Sequence, residues 1–321
     1  MRAVWLTGYG GPEVLVPGDA PEPAPGPGQV LVDVAYANIT FVETQFRATG
    51  FGPFRGELPM IPGNGVGGLV AAVGPQVDPG LVGRRVVTGT GGAGGYAERV
   101  AVPVDGLFPV PAGLPLDGAV ALLADGRTAT MLIAAAELAP GDRVLVEAAA
   151  GGVGSLLVQL ARDAGARVVA AAGGSRKTGL LGGLGADVVV DYAEPGWSER
   201  IRSELGGLDA AFDGVGGEIG RSAFELLEPG GRLLSFGLAS GGWTDVPAEL
   251  AAERGVRLLR PAAPPERLRA YTEQALAAAA AGRLRPVIGQ RFPLEAAAAA
   301  HAAIGARRTI GKTLLVTGLP G

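Results

Sequence analysis

The sequence predicts an α/β protein made of two architectures: a compact β-barrel-type part and a doubly wound, six-stranded parallel sheet. Three observations carry this. From residue 1 to about 115 the chain reads as short β-rich runs separated by Pro/Gly turns. From about 116 to 261 strand-like and helix-like segments alternate, the pattern of parallel strands joined by right-handed crossovers. From about 262 the chain turns to Ala-rich helices and one last strand. The expected division is therefore 1–115, 116–261 and 262–321, about two domains for 321 residues.

Each element has its own warrant. MRAVWLT at the start reads as a strand, as do VLVDVA from Val30, LVAAV from Leu69, RVVT from Arg85 and ERVAV from Glu98. The Pro-rich stretch from Pro17 to Pro27 is expected to be an ordered surface connection, because a strand follows it at once. In the middle region strands are expected at 143–148, 166–171, 187–191, 208–212, 232–236 and 256–259. Runs such as Val168 to Ala170 and Val188 to Val190 are apolar throughout, as strands covered on both faces require. Helices are expected at 153–164 and 218–227, then at 264–281 and 294–303, before a final strand, TLLVT, from Thr313.

Composition excludes several kinds of chemistry. There is no Cys, which removes disulfides, thiolate nucleophiles, Fe–S clusters and Cys-ligated zinc. The single His, His301, makes a Ser/His/Asp triad or a His-rich metal centre improbable, and it is expected to be a satisfied structural histidine. Net charge is −4, with no basic stripe to meet nucleic-acid phosphates. Although 55 Gly and 25 Pro approach a low-complexity composition, they punctuate apolar runs, and charged residues make only 18%, so disorder is not expected. Charges and glycines are read as interrupting every apolar run before a membrane span is reached, and no secretory signal is read, so the protein is expected to be soluble and cytoplasmic.

The strongest chemical signal is the segment from Arg143 to Arg162: a strand, the turn AAAGGVG at 148–154, and the start of an amphipathic helix. That context makes a glycine motif informative, since backbone N–H groups and the positive helix end suit a pyrophosphate. Gly151 is expected to let the backbone come close to a pyrophosphate and Gly154 to let the helix pack against the strand, and Ala148 stands where the usual first glycine would be. A second glycine cluster, 89–95, precedes a strand with no helix after it and reads as a turn. At the end of the next strand no acid is present to grip ribose hydroxyls. Ser175, Arg176 and Lys177 stand there instead, which favours the 2′-phosphate of NADPH.

Together these residues resemble a family, the medium-chain dehydrogenase/reductase superfamily in its zinc-free quinone oxidoreductase branch. The resemblance runs over nearly the whole chain: GGPEVL from Gly10, PGPGQVLV from Pro25, YAE from Tyr96, DGRTA from Asp125, AAAGGVG, GAD from Gly185, Phe236-Gly237 and Gly311-Lys312. It implies a GroES-like catalytic domain built from both chain ends, with a Rossmann NADPH-binding domain inserted, and a homodimer. By similarity Gly151, Gly152 and Val153 line the pyrophosphate, and Lys177 and Tyr192 meet the 2′-phosphate with Ser175 beside them. Thr128, Phe236 and Gly237 border the nicotinamide, and Lys312 is a C-terminal cofactor contact. The zinc enzymes' Cys near position 40 and their His-Glu pair are missing, so no metal is expected. The branch commonly has Asn, Asp and an aromatic where this chain has Thr40, Glu43 and Gln45 in a segment read as a loop.

Without a Lewis-acidic metal the acceptor should already be electrophilic, as quinones and α,β-unsaturated carbonyls are. The expected reaction is hydride transfer from NADPH to such an acceptor in a cleft between the domains, with Thr40 donating to the developing oxyanion. Phe41, Phe54 and Met60, with Phe51, are expected in the substrate pocket wall, with Glu43 and Trp243 as further pocket candidates. An NADPH-dependent enoyl or alkene reductase is the alternative, and an NADPH-binding protein with little turnover is the third.

Overall fold

The structure, a computed structural model, describes residues 1–321. It divides into two compact units, one formed by Met1–Ala124 with Leu276–Gly321 and the other by Asp125–Ala275. The division falls within two helices, Leu116–Ala136 and Pro265–Ala280.

The first unit is built on a seven-stranded sheet. Along the sheet the order is Ile288–Pro293, Lys312–Val316, Gln29–Ile39, Gly65–Val73, Arg85–Gly89 and Leu107–Pro109, with Arg99–Pro103 paired to Gln29–Ile39. The eleven-residue strand Gln29–Ile39 is the hub, hydrogen-bonded antiparallel to three neighbours. Its Val30, Val32 and Val34 point into the core, as period-two alternation demands. They pack with Leu6, Val66, Val86, Tyr96, Val102 and Leu315. The last strand returns to this sheet from the far end of the chain, Thr313 lying opposite Ile39. Arg2–Leu6 and Leu15–Asp19 form a separate two-stranded ribbon that accommodates Pro17.

The second unit is a six-stranded, wholly parallel sheet. Its order is Val188–Asp191, Arg167–Ala172, Arg143–Val146, Leu208–Asp213, Leu227–Ser235 and Arg257–Leu259. In chain order this is 3-2-1-4-5-6, the arrangement of the dinucleotide-binding fold, with its switch point between the first and fourth strands. All six strands lie where the apolar runs predicted them. Val144, Leu145, Val146, Val168, Val169 and Ala170 are each 0% exposed, as strands covered on both faces should be. At the starting ends of the two central strands Arg143 grips Asp209 with two side-chain bonds of 2.9 Å.

Three expectations change. Residues 40–45 are not a loop: Phe41–Thr49 is a helix, so the first unit is less purely β than expected. The Ala- and Leu-rich helix Leu116–Ala136 is, by length and composition, apolar enough to cross a membrane, contrary to the reading that every apolar run is interrupted sooner. Ala119, Val120, Leu122, Ala129 and Leu132 on it are fully buried inside the protein. The strand Ile288–Pro293, a parallel partner of Lys312–Val316, was not anticipated.

Candidate active site

In the second unit the candidate site is built at the carboxyl ends of the strands. After Val146 the chain passes Glu147 and turns at Ala148, whose φ is +46°, the left-handed conformation that glycine would take without strain. Gly151 is the N-cap of helix Gly152–Asp163, and its carbonyl accepts the Ser155 amide at 2.9 Å. A Cβ on Gly154 would overlap the Ala148 carbonyl and lie 2.8 Å from the Ala149 Cα, so only glycine lets helix and turn approach this closely. A Cβ on Gly152 would overlap the Asp125 carboxylate. The helix start has no side-chain cap, leaving its positive end to suit an anion.

At the end of the second strand, Gly173 and Gly174 lead into the short helix Ser175–Leu181. A Cβ on Gly173 would stand 3.0 Å from the Tyr192 ring, so the structure brings Tyr192 to the turn that carries Ser175, Arg176 and Lys177. One neighbour was missed. The Asp191 carboxylate accepts the Gly174 amide at 2.9–3.0 Å and the Ala193 amide at 2.9 Å. It reaches this turn from the third strand, so a search for an acid along the second strand alone passes it by.

Between the fourth and fifth strands the Phe236 and Gly237 amides donate to the Asp213 carbonyl at 2.9 and 3.3 Å. A Cβ on Gly214 would lie 2.8 Å from the Phe236 ring, which fixes these two strand ends against each other. Trp243 follows in the next loop, 41% exposed, with the Arg260 guanidinium 4.7 Å above its ring. A cation–π contact therefore holds the indole. Thr128 sits on the helix Leu116–Ala136, half-buried.

In the first unit Thr40 and Glu43 form a capping box at the start of helix Phe41–Thr49. One Glu43 oxygen accepts the Thr40 amide at 2.6 Å and the Thr40 hydroxyl at 2.7 Å, and the other accepts the Asn64 amide at 3.0 Å. Glu43 is 4% exposed; burial pushes its carboxyl pKa up, while these bonds and the charge of Lys312 pull it back. Lys312, expected as a cofactor contact, is itself buried on the final strand. The Tyr96 hydroxyl bonds His301 Nε2 at 2.9 Å. Burial and then Glu43 drive the tyrosine pKa well up, and burial takes His301 down to about 3. His301 is a buried structural histidine on helix Ala297–Gly305, bonded through one ring nitrogen, while Nδ1 has no partner. Phe54 and Met60, expected in a pocket wall, belong to the barrel core, whereas Phe41 and Phe51 are exposed. Sequence reasoning also missed Asn38, fully buried with both amide atoms unpaired.

The comparisons with known proteins agree with this fold. Residues 26–112 match the alcohol dehydrogenase GroES-like domain, and residues 184–315 match a family described as zinc-binding dehydrogenase. A quinone oxidoreductase of Pseudomonas aeruginosa is 33% identical over 98% of this chain and 99% of its own. A 2-haloacrylate reductase from Burkholderia sp is 32% identical over 96% of each chain. Among solved structures, a mycobacterial protein complexed with NADPH superimposes with a TM-score of 0.89 at 34% identity, covering 98% of this chain and 100% of the other. Matched end to end in sequence and in fold, the chain belongs to the medium-chain dehydrogenase/reductase superfamily, in its quinone oxidoreductase branch.

Proposed function

We propose that the protein is an NADPH-dependent oxidoreductase that reduces a quinone or a similar conjugated carbonyl without zinc. The observation that carries this is the strand–turn–helix from Arg143 to Asp163, whose Gly154 has no room for a side chain beside Ala148 and Ala149. NADPH, when bound, supplies the hydride. Gly151, Gly152, Val153 and Gly154 would take the pyrophosphate. Ser175, Arg176, Lys177 and Tyr192 would take the 2′-phosphate; two cations and a hydroxyl after the second strand, with the Tyr192 hydroxyl coming from the end of the third, suit that group. Thr128, Phe236 and Gly237 would border the nicotinamide. Lys312, buried beside Glu43, fits the charge balance of that carboxylate, and its contact with cofactor stays part of the proposal.

Thr40 is the proposed donor to the oxyanion that forms on the acceptor. Its hydroxyl already donates to Glu43, so it would have to rotate its proton toward the acceptor, with Glu43 still held by two backbone amides. Phe41, exposed at the start of the same helix, would be an apolar contact for the acceptor, while Phe54 packs edge-on against Phe46 of that helix and Met60 lies in the core. The zinc-free reading rests on the donor set. There is no Cys, and the one His is bonded to Tyr96 inside the barrel.

The likeness to a 2-haloacrylate reductase favours a second reading, reduction of an activated alkene. Domain limits of 1–115, 116–261 and 262–321, a cytoplasmic location and a homodimer complete the proposal, and light scattering on the purified protein tests the last. The deciding experiment follows NADPH absorbance with quinones set against enones and enoyl thioesters, with NADH as control. Oxidation by quinones supports the first reading, and a preference for enones supports the second. NADPH that binds tightly yet stays intact with every acceptor overturns both.

A further inference from the structure

Two acids unused by the proposed chemistry meet at the switch point of the parallel sheet. Glu147 follows the first strand and Asp213 ends the fourth; the strands are paired, with Val146 opposite Phe212. Both side chains are 0% exposed. They converge on a single donor, the Val215 amide, which lies 3.2 Å from an oxygen of each. Asp213 is otherwise saturated. It accepts the Gly216 amide at 2.7 Å, the Ser235 hydroxyl at 2.9 Å and the Thr244 hydroxyl at 2.6 Å. Glu147 has no partner at Oε1.

Two carboxylates sharing one buried donor do not both ionise. The four hydrogen bonds to Asp213 put the single negative charge there and leave the proton on Glu147. In agreement, burial first and the Asp213 charge second push the Glu147 carboxyl pKa well up. Asp213 thus ties together three pieces of chain: the turn at Val215 and Gly216, the strand end at Ser235 and the loop at Thr244. Its own carbonyl holds the Phe236 and Gly237 amides.

We propose that the Glu147–Asp213 acid pair is a positioning element, and that it fixes the 214–216 turn and the 235–244 loop in the arrangement that meets the nicotinamide half of the cofactor. The proposal rests on the reading that Phe236 and Gly237 border the nicotinamide. Neither acid touches the reacting atoms in this proposal. Asp213 acts through the loop, and Glu147 acts by staying neutral, so that the pair carries one charge rather than two.

The test compares whole NADPH with adenosine 2′,5′-bisphosphate, a probe of the adenosine half alone. Replacing Asp213→Ala is expected to weaken NADPH binding roughly tenfold, the loss of anchoring hydrogen bonds to a buried charge. Binding of the bisphosphate should stay within a factor of about two, because its site lies on other strands. Asp213→Asn should recover most of the affinity, since its carbonyl can accept both amides and its NH₂ can donate to both hydroxyls. Should the alanine variant fail to fold, Thr244→Val removes one hydrogen bond with no change of shape and should give the same split to a lesser degree. Equal loss of both ligands, or no loss of either, overturns the proposal. Failure of the unaltered protein to bind NADPH overturns the cofactor reading as well. That is distinct from unaltered binding matched by every variant, which sinks the positioning role alone.

Discussion

Replacing Glu147 by Gln should make the protein relatively more stable as the pH rises. An ordinary glutamate titrates near 4.5, and in the native protein burial and the neighbouring Asp213 charge raise Glu147 well above that. Between those two values the native state holds a proton that the unfolded chain has released, so native stability falls as pH increases. Each pH unit in that window removes about 1.4 kcal/mol. For a unit the size of Asp125–Ala275 this corresponds to about 3 to 5 °C of melting temperature per pH unit. Glutamine keeps the size and neutrality of the protonated acid and does not titrate. The assay is a set of thermal melts of both proteins from pH 5 to 9 at constant ionic strength. The gap between variant and parent should widen in the variant's favour as pH rises above the ordinary glutamate range, and level off once pH passes the raised pKa. Glu43, which burial also raises, is common to both proteins and cancels in the difference. A gap that stays constant with pH, or narrows, would refute the assignment of the proton to Glu147.

At the acid end the slope reverses in sign and belongs to the other unit. His301, held to about 3 by burial, stays neutral in the native state while the unfolded chain takes up a proton below about 6.5. Its contribution is therefore complete above that pH and lost as pH falls, reaching a cost of about 2 kcal/mol at pH 5. His301→Gln should flatten this acid limb in melts from pH 7 to 4. Steady-state kinetics of Lys177→Ala should raise KM for NADPH about tenfold, the worth of one charged contact to a phosphate, and leave KM for NADH unchanged. Equal effects on both cofactors would remove Lys177 from the 2′-phosphate. Thr40→Val takes one of three donors from the buried Glu43 carboxylate, and should cost about 1 to 2 kcal/mol in chemical denaturation. It should also lower turnover with quinones; unchanged turnover would exclude the hydroxyl as donor to the oxyanion.

What the sequence made legible was whatever is local. Val168 to Ala170 could be read as a covered strand because three consecutive apolar residues leave no face for water, whereas Val188 to Val190, read the same way, form the edge strand and leave Val189 half-buried; Gly154 could be read because turn, glycine and helix lie within one short segment. Helix Leu116–Ala136 went unread for the opposite reason: it is apolar almost all round, so periodicity offers no buried face to detect. The helix Phe41–Thr49 did carry a local signal, Thr40 followed three residues later by Glu43, which spells a capping box. Reading the pair for its chemistry hid its structural meaning.

The acid pair belongs to a different category. Glu147 and Asp213 lie 66 positions apart in the sequence, each beside an apolar run in which a lone carboxylate reads as a strand terminus. Only the register that sets Val146 opposite Phe212 brings them onto the same amide. The strand order places the switch point between these same two strands, where neighbouring crossovers leave in opposite directions and open a crevice. A buried negative charge at that point is costly unless several donors converge on it. The donors present come from the 214–216 turn, the strand end at Ser235 and the loop at Thr244, which the proposal sets beside the cofactor. The interior charge and the ordered rim are thus one arrangement. Asp213 is tolerated because the loops donate to it, and the loops are ordered because Asp213 is there to accept.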